Sequence, residues 1–249
     1  MGTYKKDFIN VFSLKIDDIN MEQYEARVRT NKGFGFVVTP NVQHVVELHK
    51  NNVLMECYKQ ASICLCDSRV LQLVSQLFSY SINNVIPGSD LTKYMLEKSI
   101  IRSEKIMVVG STKNDIEIIR DKYDLTNLSH YEPPMGFIHS DDEIDKTIDN
   151  VMKAKPSYLF LALGFPRQEM LACRLKQRID FNCLAFCIGA SIDFLTGKQK
   201  RAPKVWQYAK LEWLYRFTRQ PKRLFRRYFL ESWGLVPIII REVLLRYRL

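Results

Sequence analysis

Five short apolar runs constrain the fold of this chain more than any other feature. FGFVVTPN (34–41), ASICLCDSRV (61–70), KIMVVGS (105–111), YLFLALG (158–164) and CLAFCIGAS (183–191) each run into Thr, Asp or Gly and then stop. Helical spacing follows: Val42, Val45, Val46 and His49 share one face after Asn41, and Val70, Leu71, Val74, Leu77 and Phe78 form a stripe after Asp67. Unbroken apolar strands alternating with amphipathic helices predict an α/β fold, a mostly parallel Rossmann-like sheet with helices on both faces. FSLKI (12–16) reads as an edge strand, 21–30 as a helix, and NNVIPGSDL (83–91) as a short strand, a Pro-Gly turn and a helix start. Asn41 is placed to cap its helix, Asp115 to complete a capping box with Thr112, and Glu143 to do the same with Ser140. Pro166 suits the first turn of a helix.

The polar residues of this pattern share one address. Thr39, Asp67, Gly88, Gly110, Gly164 and Gly189 each fall at the C-terminal end of an expected strand, the edge at which open α/β sheets bind ligands. Turn residues follow strands in any such fold, so Thr39 and Asp67 are the informative members. Asp67 has two readings, a general base facing the crevice or a cap on the helix that follows it. Gly33 and Gly35 precede their strand and lack a third glycine, which argues against a dinucleotide-binding oxidoreductase. Cys57, Cys64, Cys66, Cys173, Cys183 and Cys187 form no CxxC pair and mostly lie in apolar runs, as reduced core cysteines of a cytosolic protein do. His44, His49, His130 and His139 make no ligand-spaced cluster, so no metal site is expected. MGTYKKDF opens into mixed sequence with no apolar core of a signal peptide, and none is expected.

Charge divides the chain. Residues 198–249 hold 14 Lys and Arg against three Glu, so the +10 of the whole chain sits in this tail and the body is close to neutral. Trp206, Trp213 and Trp233 are there too, no further strand appears, and two or three helices are expected. Lys222, Arg223, Arg226 and Arg227 lie opposite a stripe of Leu224, Phe225, Tyr228 and Phe229, the pattern of a helix lying in a membrane interface. The expected organisation is therefore an α/β catalytic domain over 1–197 and a basic, aromatic-rich C-terminal helical appendage over 198–249. The longest apolar run of the tail, from Leu235 to Ile240, is far too short to span a bilayer. Packing of these aromatics on the body, with the cations solvated, is the competing account.

Six blocks in order carry a further resemblance: TPN (39–41), Asp67 after its buried strand, GSDL (88–91), GFPRQE (164–169), GASIDFLTGKQKRAP (189–203), and LEWLYRF with QPKRLFRRY (211–217 and 220–228). Together they resemble the WecG/TagA/CpsF glycosyltransferases, which include N-acetylmannosaminyltransferases of bacterial surface-polymer synthesis. The resemblance implies an inverting transferase that moves a sugar from a UDP-sugar to a polyprenyl-diphosphate-linked acceptor at the cytoplasmic membrane face. It implies that Asp67 is the general base, that Thr39 contacts the reacting groups, and that Gln168 and Asp193 line the donor pocket. It also implies that Arg216, Arg223 and Arg226 reach the diphosphate. Asn41 of TPN and Asp90 of GSDL are assigned with them to substrate binding, as are Gly110 and Gly164 ahead of helix N-termini that attract phosphate. Ser68 and Arg69 stand where many members carry Gly after the catalytic Asp, which leaves the sugar open.

The residue types suit that chemistry. Inversion at an anomeric carbon needs a carboxylate to take the acceptor hydroxyl's proton and cations to stabilise the departing diphosphate. The chain has no Asp-x-Asp motif of the kind that holds a metal in many UDP-sugar enzymes, so a metal-independent reaction without a cofactor is expected. The expected partners are the UDP-sugar, the lipid-linked acceptor and an anionic membrane surface; a homo-oligomer is left open. The alternative is a nucleotide-binding module whose basic tail binds nucleic acid. The interleaved tryptophans favour lipid and no nucleic-acid partner.

Overall fold

The computed structural model describes residues 8–76, 82–98, 103–199, 218 and 232–246. A hairpin comes first, β1 (Phe8–Val11) and β2 (Leu14–Asp17), antiparallel with Phe8 opposite Asp17. Phe12 and Ser13, expected within one edge strand, form its turn instead, at φ +51° and +62°. Such turns ordinarily advertise themselves with Asn-Gly. Here burial of the whole Phe12 side chain, worth roughly 2 kcal/mol, offsets the strained backbone.

Six strands then make one parallel sheet in the order β4-β3-β8-β7-β5-β6. They are β3 (Phe34–Val38), β4 (Ile63–Cys64), β5 (Ile106–Gly110), β6 (Leu128–Tyr131), β7 (Tyr158–Ala162) and β8 (Cys183–Cys187). Registers run Phe34 to Cys183 between β3 and β8, and Tyr158 to Leu184 between β7 and β8. The period-two rule divides their side chains into two cores. Phe36, Val38, Met107, Val109, Leu159, Leu161, Ala185 and Cys187 face one side, and Val37, Ile106, Val108, Phe160, Leu184 and Phe186 face the other. The parallel α/β architecture is thus the one expected, helices on both faces included. Strand β6 has no counterpart among the five runs, because only Leu128 of its four residues is buried and Ser129 faces solvent.

On the first face lie α2 (Val42–Lys50), α3 (Asn52–Lys59), α7 (Asp141–Ala154) and α8 (Arg167–Arg178). On the second lie α1 (Met21–Arg29), α5 (Gly88–Glu97), α6 (Lys113–Tyr123) and the short α9 (Ser191–Leu195). Caps follow the sequence closely. Asn41 Oδ1 accepts from the N–H groups of Gln43 and His44 (3.0 and 3.3 Å), and Thr112 and Asp115 close their box. Ser140 Oγ accepts from Glu143 N, but the Glu143 carboxylate turns to Lys146 Nζ. Helix α4 (Arg69–Gln76) follows β4, and α10 (Leu235–Arg246) ends the described chain. Leu235 and Ile238 of α10 join the core with Val45 and Val46 of α2, and a side chain at Gly234 would collide with Val46 (2.5 Å).

Two details position the site. Asp17 Oδ2 accepts the Cys64 N–H (2.8 Å) while Oδ1 takes Arg27 Nη1 (2.7 Å), so the hairpin covers the edge strand that leads to Asp67. Neighbouring strands β3 and β8 send their chains to opposite faces, to α2 and to α9. Loops that part in this way open a crevice at the carboxyl edge.

Candidate active site

The crevice is built from the ends of β3, β4, β7 and β8. The chain continues past β4 in extended form, with Leu65 N–H donating to Val38 O (2.9 Å) and Asp67 N–H to Pro40 O (3.1 Å). Segment 82–87 runs alongside, through Ile86 N–H to Cys66 O at 2.8 Å. Asp18 ties that segment down by accepting from the N–H groups of Asn83 and Asn84 (2.9 and 2.8 Å). This pairing delivers Gly88, the first residue of α5, to Asp67: its N–H donates to Asp67 Oδ1 at 2.7 Å. The cap on the helix after Asp67 comes from Ser68, whose Oγ accepts from Leu71 N (3.3 Å). Asp67 instead binds the N-terminus of a helix 21 residues further on.

Gly88 is also where the loops converge most closely. A Cβ there would stand 3.0 Å from Thr39 Oγ1 and 3.9 Å from Ser191 Oγ, so β3, α5 and α9 meet at one point. Thr39 is nearly buried and Asp67 half-buried. The N-terminal end of α5 favours negative charge on Asp67. A carboxylate has about four acceptor positions, so the bond from Gly88 is compatible with a second partner such as an incoming hydroxyl.

From β7 the chain passes through Gly164 (φ +73°) into α8. Phe165 stacks on His44 of α2 with centroids 3.9 Å apart, and His44 Nδ1 lies 2.8 Å from Tyr58 Oη, which fastens this loop to the first face. Gln168, 3% exposed, accepts the Gly189 N–H at 2.8 Å through Oε1. That bond closes the crevice between the β7 and β8 loops, and Ser191 follows two residues on. Thr39, Asp67 and Ser191 therefore gather around Gly88, and the Gln168–Gly189 bond joins them through the short step of chain from Gly189 to Ser191.

Other expected residues stand elsewhere. Asn41 has its carbonyl oxygen engaged in the α2 cap, and Asp90 is exposed on the first turn of α5. Gly110 (φ +92°) is needed for close packing, since a Cβ would lie 2.6 Å from Ala162 O. Asp193 accepts Gln199 Nε2 at 3.2 Å. Arg216, Arg223 and Arg226 lie outside the described residues. Among the described residues no group of His, Cys, Asp and Glu could hold a metal ion.

Sequence reading passed over three members of this rim. Ser191 lies inside a recognised block, yet only its closeness to Gly88 marks it. Asp115 was legible as a cap, but not as the partner of Lys198 Nζ at 2.7 Å. Burial alone would raise the Asp115 carboxyl, and the bonds from Lys198 and Thr112 outweigh it and hold it below the ordinary value. Glu169, beside Gln168, is fully buried, and burial pushes its carboxyl from 4.5 up to about 7.

The N-acetylglucosaminyldiphosphoundecaprenol N-acetyl-beta-D-mannosaminyltransferase of Staphylococcus aureus strain MW2 is 25% identical over 224 residues, 88% of this chain and 85% of the relative. The enzymes of the same name from strains NCTC 8325 / PS 47 and MRSA252 are 25% identical over the same coverage. The family model described as Glycosyl transferase WecG/TagA/CpsF family matches residues 9–249, nearly the whole length, and the chain accordingly belongs to that family.

Proposed function

We propose that this protein is an inverting glycosyltransferase that moves a sugar from a UDP-sugar to a polyprenyl-diphosphate-linked saccharide in bacterial surface polysaccharide or teichoic-acid synthesis. The observation that carries the reading is the Asp67 carboxylate, held by the Gly88 N–H beside Thr39 at the topological switch of the sheet, in a chain of this family. Asp67 takes the proton of the acceptor hydroxyl as that oxygen attacks the anomeric carbon from the side opposite the leaving UDP. Thr39 contacts the reacting groups, and Gln168 and Asp193 hold the donor. Negative charge builds on the departing diphosphate. It is met by the N-termini of α6 and α8 and by Arg216, Arg223 and Arg226 of the tail. The relatives' name makes an N-acetylmannosaminyl donor and an N-acetylglucosaminyl-diphospho-lipid acceptor the first pair to try. An N-acetylmannosaminuronic acid or glucose-type donor comes next.

The C-terminal helix supports action at a membrane face. Opposite its docked side, α10 and the turn before it expose Trp233, Val236, Ile240 and Leu244 at helical spacing. No helix among the described residues is long and apolar enough to cross a bilayer, so peripheral attachment is the reading. An apolar stripe beside a basic tail suits lipid better than nucleic acid.

The test is transfer itself. Incubation with a panel of UDP-sugars and a short-chain polyprenyl-diphosphate acceptor should release UDP and yield the extended glycolipid, with little change on adding EDTA. Absence of product with every donor sinks the reading, and strong inhibition by EDTA sinks its metal-free form. Sedimentation with anionic vesicles, against gel shift on RNA, separates the membrane reading from the nucleic-acid one.

A further inference from the structure

Glu169 is the feature of this crevice that packing does not explain. It sits on the first turn of α8 with none of its surface exposed. One carboxylate oxygen, Oε1, accepts from Gln168 Nε2 at 2.9 Å, and the other, Oε2, has no hydrogen-bond partner among the described residues. Among the described residues its neighbours supply no compensating cation. Cys57 Sγ donates to the Glu169 main-chain oxygen (3.0 Å), and the Tyr58 hydroxyl and Cys187 thiol are pushed up by burial first and by the Glu169 charge second. A carboxyl near a helix N-terminus gains a little from the dipole, but burial without a full set of partners costs more. An apolar side chain would serve stability better here.

The geometry gives the carboxylate a different task. A glutamine amide has a donating and an accepting end, and the two are close in shape. Gln168 stands with its carbonyl on the Gly189 N–H and its amino group on Glu169. Turned the other way, it would set oxygen against carboxylate and amino group against N–H, and both bonds would be lost together. Above about pH 7, where it is ionised, the carboxylate accepts only and permits one orientation of the amide. The second N–H of Nε2 has no acceptor among the described residues and can serve a ligand, and the Gly189 turn that leads to Ser191 is held.

We propose that Glu169 is a positioning residue for the transfer. It fixes the orientation of the Gln168 amide, and through Gly189 the shape of the β8–α9 turn, so that Gln168 meets the donor sugar with its free N–H. This inference rests on the reading of Gln168 as a donor contact. The bond chain from Glu169 to Gly189 can nevertheless be tested without turnover.

Four proteins decide it: Glu169→Leu, Glu169→Gln, Gln168→Ala and the double variant Glu169→Leu with Gln168→Ala. The first readout is hydrogen exchange of the Gly189 amide. At pH 8, Glu169→Leu and Gln168→Ala should each speed exchange about tenfold, as loss of one hydrogen bond does, while Glu169→Gln, which offers a donor as well as an acceptor and so forces the orientation less strictly, should fall between them and wild type. The second readout is kcat/KM for the donor. Glu169→Leu should lose about as much as Gln168→Ala, and the double variant no more than Gln168→Ala alone, the sign of two residues acting as one unit. A Gly189 amide that stays protected in Glu169→Leu overturns the proposal, and so do losses that multiply in the double variant. Full activity of Gln168→Ala overturns it as well. If the wild-type protein transfers no sugar, the transferase reading fails separately and exchange at Gly189 alone decides whether Glu169 holds the amide.

Discussion

Each half of the carboxyl rim carries an aspartate, and the two are used differently. On the β4–β3–β8 side Asp67 is half-buried and receives the main-chain N–H of Gly88. On the β5–β6 side Asp115 is buried, and its Oδ2 gathers Thr112 Oγ1 at 2.6 Å, Ser111 Oγ at 3.2 Å and Lys198 Nζ at 2.7 Å. The second arrangement is a strut: it caps α6 and pins the residue at which the basic tail begins. The first is half-buried at the crevice, where the Gly88 N–H orients one carboxylate oxygen, and it stays accessible, as a proton acceptor requires. A carboxylate at the carboxyl edge of a parallel sheet is therefore no signal of catalysis by itself; what surrounds it decides.

Exchanging the charge on each side breaks or sharpens that contrast. Asp67→Asn should lower sugar transfer by about 10²- to 10⁴-fold with little change in thermal midpoint. Asp115→Asn should lower the midpoint and leave kcat per folded molecule nearly unchanged. Parallel UDP-release assays and melting curves compare them, and equal behaviour of the two variants would erase the distinction.

The next effect belongs to Glu169, on the first turn of α8. Its carboxyl holds a proton in the fold up to about pH 7 against an ordinary value of 4.5, so the native state binds more protons than the unfolded chain in that window. Stability must then fall as pH rises from 4.5 to 7, by a limit on the order of 3 kcal/mol. Glu169→Gln should remove this slope and be more stable than wild type at pH 8, with the gap closing towards pH 4.5. Denaturant titrations at the two pH values measure it. The smallest effect is at the strut. Thr112→Ala should cost about 1 kcal/mol of stability through the lost α6 cap and leave donor affinity in place.

Local features were legible to the extent that their causes are local. The caps at Asn41, Thr112 and Ser140 and the five buried runs stand where neighbouring residues put them. Strand β6 was not legible, because a sheet edge needs only Leu128 inside and LSHY has no apolar run. Nor was the hairpin turn, since Phe12 and Ser13 lack the residues that favour left-handed backbone and are held there by burial of the ring. At the site, Asp67, Thr39 and Gln168 were named from the sequence, whereas Glu169 and Ser191 acquire meaning only from the residues that reach them.

By itself the sequence determined the two-sided strands, the helix stripes, the family and the basic, aromatic character of the tail, because each depends on residues a few positions apart or on ordered blocks. Tertiary structure alone decided that β8 inserts beside β3, that Gly88 returns to Asp67, and that Gln168 closes on Gly189. Those meetings join segments whose sequences carry no mark of one another. They are selected by how two hydrophobic cores pack on one sheet, and that packing is a property of the whole chain.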